Sequence, residues 1–245
     1  MTGLSAPRDS DARSIELATN LSELRSRINA VAVAAGRDAD DITVIAVTKT
    51  WPADDVRRLA AVGLLDVGEN RDQEARAKSL ACVDLHLRWH FVGGLQRNKC
   101  ASVAQYADVI HSIDRLELVP ALDQGADRVG RDIDVLIQVN LDPSGVAPGS
   151  GRHGVQAAEI PELIDDVLEA RRLRLAGVMG VAPLGGDAAA AFARLWEASE
   201  ALRRTAPRAT VISAGMSGDW PEAVAAGATH LRLGSAVLGA RPPLG

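Results

Sequence analysis

The sequence predicts a single (β/α)8 barrel of the TIM type, preceded by one extra helix. Three observations carry that expectation. Short β-type runs alternate with helix-type runs along nearly the whole chain, which implies parallel strands joined by right-handed crossovers. Eight such runs can be counted, where a doubly wound sheet would show five or six. The length of 245 residues also matches the roughly 250 that this barrel uses as one domain.

Each element has its own justification. Residues 1–12 are polar, with Gly, Pro, Ser and Asp, and read as a flexible tail; residues 13–245 are expected to form the one domain. Leu17, Leu21, Leu24, Ile28 and Val31 recur at spacings of four and three, which marks one apolar stripe on a helix, and Gly36 is a plausible stop. The strands are expected at 42–47, 65–68, 87–92, 109–112, 133–139, 173–178, 210–213 and 229–233. Amphipathic segments lie between them. Residues 52–62 present Val56, Leu59 and Ala60 on one face, residues 161–170 present Leu163, Ile164, Val167 and Leu168, and residues 188–204 carry Phe192, Leu195, Trp196 and Leu202. Pro52 and Pro161 suit a first helical turn, whereas Pro120 is expected to shorten or kink its helix. The Gly-rich stretch 142–154 reads as a long loop after the fifth strand, and Arg152-His153-Gly154 within it either covers the barrel mouth or forms a turn.

Composition narrows the function. A formal net charge of −5 argues against a nucleic-acid binder, which needs excess Lys and Arg. Two cysteines and five scattered histidines show no metal-ligand spacing, so neither a structural metal nor a disulfide framework is expected, and a reducing, cytoplasmic compartment is the default. No stretch approaches the ~18 apolar residues of a membrane span, and the amino-terminal residues lack the apolar core of a signal peptide.

Active sites of such barrels are built at the C-terminal ends of the strands. Lys49 ends the first strand, directly after the apolar run 44–47. Low-dielectric walls and nearby cations would favour its free amine, which attacks aldehydes; the plain alternative is a lysine reaching out to water. Ser213, Gly215, Met216 and Ser217 follow the seventh strand, and Gly234 and Ser235 the eighth. Loops at those two strands are the recurrent phosphate site of the fold, although each alone is only a glycine-containing turn. Arg232 lies between them and is free to meet a phosphate, the ring nitrogen of a cofactor, or a carboxylate such as Glu69 or Asp114. Asn70 either contacts a ligand or caps the following helix. His90, alternating with Trp89 and Phe91, reads as a satisfied wall residue.

Taken together these residues resemble the YggS/PROSC family of pyridoxal-phosphate-binding proteins, also called the PLP homeostasis proteins. The likeness runs from about residue 13 to residue 241. It is carried by Ala46-Val47-Thr48-Lys49-Thr50, Gly68-Glu69-Asn70-Arg71-x-Gln73-Glu74, Trp89-His90-Phe91-Val92-Gly93-x-Leu95-Gln96-x-Asn98-Lys99, His111-Ser112-Ile113-Asp114, Gln138-Val139-Asn140, Gly215-Met216-Ser217-x-Asp219 and Arg232-Leu233-Gly234-Ser235. Thr48 stands where the family more usually has Ser.

The resemblance implies a barrel like the N-terminal domain of alanine racemase, with pyridoxal 5′-phosphate held as a Schiff base on Lys49. It also implies Ser213, Ser217, Gly234 and Ser235 around the phosphate, with Arg232, Asn70 and Met216 near the cofactor. The expected role is a non-catalytic carrier in intracellular cofactor homeostasis, with no catalytic residue assigned. It is expected to be a monomer, with PLP-dependent apoenzymes and free amino acids as partners. The alternative is a weakly active amino-acid racemase or related enzyme. Against it, only thirteen residues follow Arg232, so the β-rich second domain of such enzymes is expected to be absent. Tyr106, the one tyrosine, falls away from the mouth. A barrel enzyme acting on a phosphorylated sugar through a Schiff-base lysine is a third reading.

Overall fold

The computed structural model describes residues 8–142 and 154–240. Eight parallel strands close into a barrel in chain order: β1 (Thr43–Val47), β2 (Asp66–Glu69), β3 (Arg88–Phe91), β4 (Val109–Ile113), β5 (Ile133–Val139), β6 (Leu173–Gly180), β7 (Val211–Ser213) and β8 (His230–Leu233). Each is followed by a helix: α2 (Ala53–Ala61), α3 (Asp72–Ala81), α4 (Cys100–Val103), α5 (Leu118–Val129), α6 (Ile160–Glu169), α7 (Ala188–Thr205), α8 (Trp220–Ala225) and α9 (Ser235–Leu238). The extra helix, α1 (Arg8–Ala34), precedes them all.

All eight predicted strands exist, with ends that shift by only a residue or two. The strand runs are rich in Val, Ile and Leu because both faces of a parallel barrel wall are covered, the outer by helices and the inner by the barrel's own filling. Leu17, Leu21, Leu24 and Ile28 of α1 are buried in the main core, as their spacing requires. Gly36 adopts φ +68 just beyond the helix end.

Four expectations need correction. Residues 8–12, expected in the tail, belong to α1. Pro120 neither kinks nor shortens α5; it sits in the first turn, where a backbone N–H has no intrahelical acceptor to lose. Trp196 and Leu168 are exposed rather than core-facing. Trp196 lies beside the stripe, and its ring lies over Gly227, where a Cβ would come within 3.1 Å of it. Of the long loop, Arg152 and His153 lie outside the described residues, and Val155 at its far end makes a parallel bridge with Val139.

The barrel interior is polar over much of its length. His111 on β4 bonds to Ser213 on β7 (3.0 Å). Those strands are separated in the wall by β5 and β6, so the bond crosses the lumen. Arg232 on β8 likewise reaches the carbonyl of Gly180 on β6 (2.8 Å). Val109, Leu136 and Met179 form a small apolar cluster separate from the main core.

Candidate functional site

Strand ends and the loops beyond them enclose a cavity of about 400 Å3. Lys49, Asn70, Met216, Ser217, Arg232, Gly234 and Ser235 all line it, beside the apolar Val47, Trp51, Val92 and Val181. No Asp or Glu is among its described lining residues, so Lys49 and Arg232 make it cationic within an acidic protein. Its donor set comprises an amine, a guanidinium, an amide and two hydroxyls. That set fits an anion with a reactive carbonyl.

The lysine is held through its neighbours. Thr48 is fully buried, and its hydroxyl donates to Glu69 Oε1 (2.6 Å), so threonine retains the hydroxyl of the usual serine. Lys78 spends all three of its N–H donors here: on the carbonyl of Thr48 (2.6 Å), Glu69 Oε1 (2.6 Å) and Glu74 Oε1 (2.7 Å). Glu74 Oε1 also accepts from the backbone N–H of Thr50 (2.5 Å). Thr50 adopts φ +71, the left-handed region, alone among the described non-glycine residues; a β-branched side chain there is strained. Lys49 is thus presented by a turn that its surroundings over-determine, while its own side chain, half-buried, forms no ion pair among the described residues. Burial pushes the Glu69 carboxyl up, against the pull of Lys78 and Thr48, and its Oε2 is buried without a partner.

Arg232 is almost fully buried. Nη1 donates to Ser213 Oγ (2.6 Å) and Nη2 to the Gly180 carbonyl. Burial lowers its pKa to about 10, which leaves it charged at neutral pH. Of the partners left open by the sequence, neither Glu69 nor Asp114 is the one: Glu69 bonds Lys78, and Asp114 pairs with Arg115. Ser213 does not line the cavity. Its buried hydroxyl is engaged by Arg232 and His111, so it supports the guanidinium from beneath rather than facing a ligand.

Just beyond the ends of β7 and β8, Ser217 and Ser235 bring their hydroxyls within 3.0 Å of each other. Asp219 folds the loop by accepting from the backbone N–H of Met216 (2.6 Å). Gly215 makes the fold of this loop possible: it adopts φ +86, and a Cβ there would meet Trp220 Cα at 2.9 Å and Ala223 Cβ at 2.8 Å. Asn70 does not cap α3, whose N-cap is Arg71. It is pressed instead against Gly93, where a Cβ would come within 2.2 Å of the Asn70 carbonyl oxygen.

Several contributors are not evident from the sequence. Trp51 lines the cavity with Arg13 stacked 4.5 Å from its ring centre; its place two residues after the lysine was the available signal. Lys78 carried none, since a lysine on an amphipathic helix ordinarily faces water. Larger hollows of about 530 Å3, between α6 and α7, and about 860 Å3, beside α4 and α5, have no lysine among their described lining residues. Another, of about 480 Å3, has only Lys78, whose donors are all engaged. Among the described residues no three or more His, Cys, Asp or Glu are grouped to hold a metal.

Comparison with known proteins bears on this site. The chain matches the family described as alanine racemase, N-terminal domain, over residues 17–242. It is 39% identical to the pyridoxal phosphate homeostasis protein of Mycobacterium tuberculosis, over 94% of each chain. It is 35% identical to the protein of the same name in Escherichia coli, over 92% of this chain and 97% of that one. Among solved structures, PipY of Synechococcus elongatus with PLP bound superposes with a TM-score of 0.76 at 36% identity, covering 91% of this chain and all of PipY. The chain belongs to the alanine racemase N-terminal domain family and, within it, to the pyridoxal phosphate homeostasis proteins.

Proposed function

We propose that this chain binds pyridoxal 5′-phosphate at the barrel mouth, covalently through Lys49, and acts as a carrier in cofactor homeostasis. The observation that carries the reading is the cavity itself, which unites an unpaired lysine, a buried arginine and two facing serine hydroxyls and has no carboxylate among its described lining. Pyridoxal phosphate supplies an aldehyde that a primary amine captures reversibly with loss of water, and a phosphate that needs cations and hydrogen-bond donors.

Each residue then has a task. Lys49 is the amine, presented by the strained turn at Thr50. Ser217, Ser235 and the backbone at Gly234 bind the phosphate. Arg232 donates from below, while Asn70 and Met216 flank the ring with Val47, Trp51, Val92 and Val181. A racemase requires an acid/base group on each face of the reacting carbon. Here Lys49 is the sole candidate among the described lining residues, because Arg232 holds its proton and Tyr106 is buried against Asp72. This favours a carrier over a racemase. Delivery to PLP-dependent apoenzymes, exchange with free amino acids, a monomeric state and a cytoplasmic location complete the proposal. Two unpaired buried cysteines suit a reducing compartment, and among the described residues no helix is long and apolar enough to cross a membrane.

The test is an absorption spectrum before and after borohydride, for the native chain and for Lys49→Ala. The expected result is a violet band in the native protein that borohydride abolishes, with the added mass on the Lys49 peptide and no such band in Lys49→Ala. A native protein that takes up no pyridoxal phosphate, or a Lys49→Ala variant that keeps the band, would overturn it.

A further inference from the structure

A chain of buried hydrogen bonds runs inside the barrel from Arg232 to Asp66. Arg232 Nη1 lies 2.6 Å from Ser213 Oγ, Ser213 Oγ 3.0 Å from His111 Nδ1, His111 Nε2 2.9 Å from His90 Nδ1, and His90 Nε2 2.9 Å from Asp66 Oδ1. His90, His111 and Ser213 are buried. Asp66 opens β2, at the N-terminal end of the barrel, while Arg232 lines the mouth. The links join β8, β7, β4, β3 and β2, so no single helix or hairpin accounts for them.

With both imidazoles neutral, the chemistry of the two ends fixes the direction of every bond. A guanidinium only donates, and a carboxylate only accepts. From the carboxylate end, neutral His90 must donate to Asp66 from Nε2, so its Nδ1 accepts from His111 Nε2–H. His111 Nδ1 then accepts from Ser213, whose oxygen accepts from Arg232. Both rings are thus neutral Nε2–H tautomers. One placement of protons satisfies all four bonds, with both imidazoles neutral. Burial, the largest influence on each ring, lowers both pKa values, in keeping with that assignment.

We infer that His111, acting through Ser213 and backed by His90 and Asp66, is a positioning residue for Arg232, fixing the guanidinium so that its remaining donors face the cavity. Two of the five N–H groups are engaged by Ser213 and Gly180. Without the acceptor at His111 Nδ1, the Ser213 proton loses its partner, the hydroxyl turns, and Arg232 is freed to rotate. The ligand-binding consequence rests on the pyridoxal phosphate reading above; the effect on Arg232 itself does not.

The experiment compares the native protein with His111→Phe, which keeps a ring and loses the acceptor, with Ser213→Ala, and with His111→Asn, which retains an oxygen near the Nδ1 position. Leu136→Ala, in the apolar cluster of the interior, serves as the packing control. In ligand-free protein, 15N spectra are expected to show Nε2–H tautomers for His90 and His111. They should also show slow rotation of the Arg232 guanidinium, which becomes fast in His111→Phe and Ser213→Ala but not in His111→Asn or Leu136→Ala. With pyridoxal phosphate, the two disrupted variants are expected to release it about tenfold faster than the native protein, the scale of one hydrogen bond to a charged group, with a displaced absorption band. His111→Asn should remain near native. Folded His111→Phe with native Arg232 rotation, or Leu136→Ala with the same change, overturns the inference. Failure of the native protein to load pyridoxal phosphate overturns the proposed function instead and leaves the Arg232 readout to decide this one.

Discussion

Thr50 and Lys78 show how single residues fix the candidate site. Thr50 holds φ +71, a region that costs a β-branched residue of order 1–3 kcal/mol. Glycine removes that strain while making the unfolded chain more flexible, by about 0.4–1 kcal/mol. Thr50→Gly is therefore expected to stabilise the fold by about 1 kcal/mol, raising Tm by roughly 2–4 °C for a chain of this size; an unchanged or lower Tm in calorimetry would show that the turn is not strained. Lys78 is the opposite case. Its removal in Lys78→Met leaves Glu69 buried beside an unanswered Thr48 carbonyl, and is expected to cost about 3–5 kcal/mol in urea unfolding. The double variant Lys78→Met/Glu69→Gln should recover a large part of that loss, because the uncompensated charge is gone. Residues of the site that sit at strand ends, such as Lys49, Asn70 and Ser235, were legible from sequence, since the barrel places strand ends at the mouth whatever the details. Lys78 and Ser213 were not. What decides their roles is a partner 30 residues away for Lys78 and 102 for Ser213, and nothing local encodes such a pairing.

Helix α1 is the element that most distinguishes this chain from a bare eight-unit barrel, and Arg13 is its anchor. The guanidinium donates to Asp55 Oδ2 (2.9 Å) on α2 and to the Leu238 carbonyl (3.0 Å) on α9, and lies over Trp51 at the cavity wall. One side chain thus joins the first helix, the element after the lysine and the last helix. Asp55 keeps Arg58 as a second partner (2.8 Å), so Arg13→Ala leaves no naked buried carboxylate. The expected cost is about 1–2 kcal/mol, the sum of a charged hydrogen bond and a stacked cation, together with higher mobility of Trp51 visible in its fluorescence anisotropy. A cost below about 0.5 kcal/mol, the usual reach of a surface pair, would place Arg13 among ordinary surface charges. The stripe of α1 was plain in sequence because one face meets one core. Its beginning was not, because residues 8–12 are polar, and a polar helical turn and a polar tail share a composition. In α7 the stripe blurred for a related reason: Trp196 sits next to the core-facing Leu195, and hydrophobicity alone does not separate covering Gly227 at the surface from entering the core.

At the scale of the whole molecule, three histidines packed inside one barrel tie stability to pH. His90, His111 and His230 all titrate below their ordinary value, with burial the largest cause for each; for His230 the value is about 4. A histidine that the fold keeps neutral binds fewer protons folded than unfolded between its two pKa values, so stability falls as pH falls through that interval. The interval opens at the unfolded pKa of about 6.5 and closes, for His230, at about 4. Across it His230 alone accounts for a loss of about 3 kcal/mol, at 1.36 kcal/mol per unit of pKa shift. The other two act in the same direction below about pH 6.5. Two carboxylates modify this trend in opposite senses. Burial opposes ionisation of Asp66, yet its bond to His90 and the nearby positive charges hold it below the ordinary range; its contribution is complete at pH 5 and is lost only at lower pH. Glu69 is shifted the other way, and so offsets part of the loss above its ordinary value of 4.5. Urea unfolding at a series of pH values should therefore give a plateau above pH 7 and a stability that falls between pH 6 and 5, with His230 alone contributing up to one proton of slope, roughly 1.4 kcal/mol per pH unit. Replacing His230 with Gln should remove its one-proton share of that slope. A stability that stays level from pH 7 to pH 5 would mean that the imidazoles ionise freely inside the barrel, and the neutral tautomers on which the Asp66-to-Arg232 chain depends would fall with it.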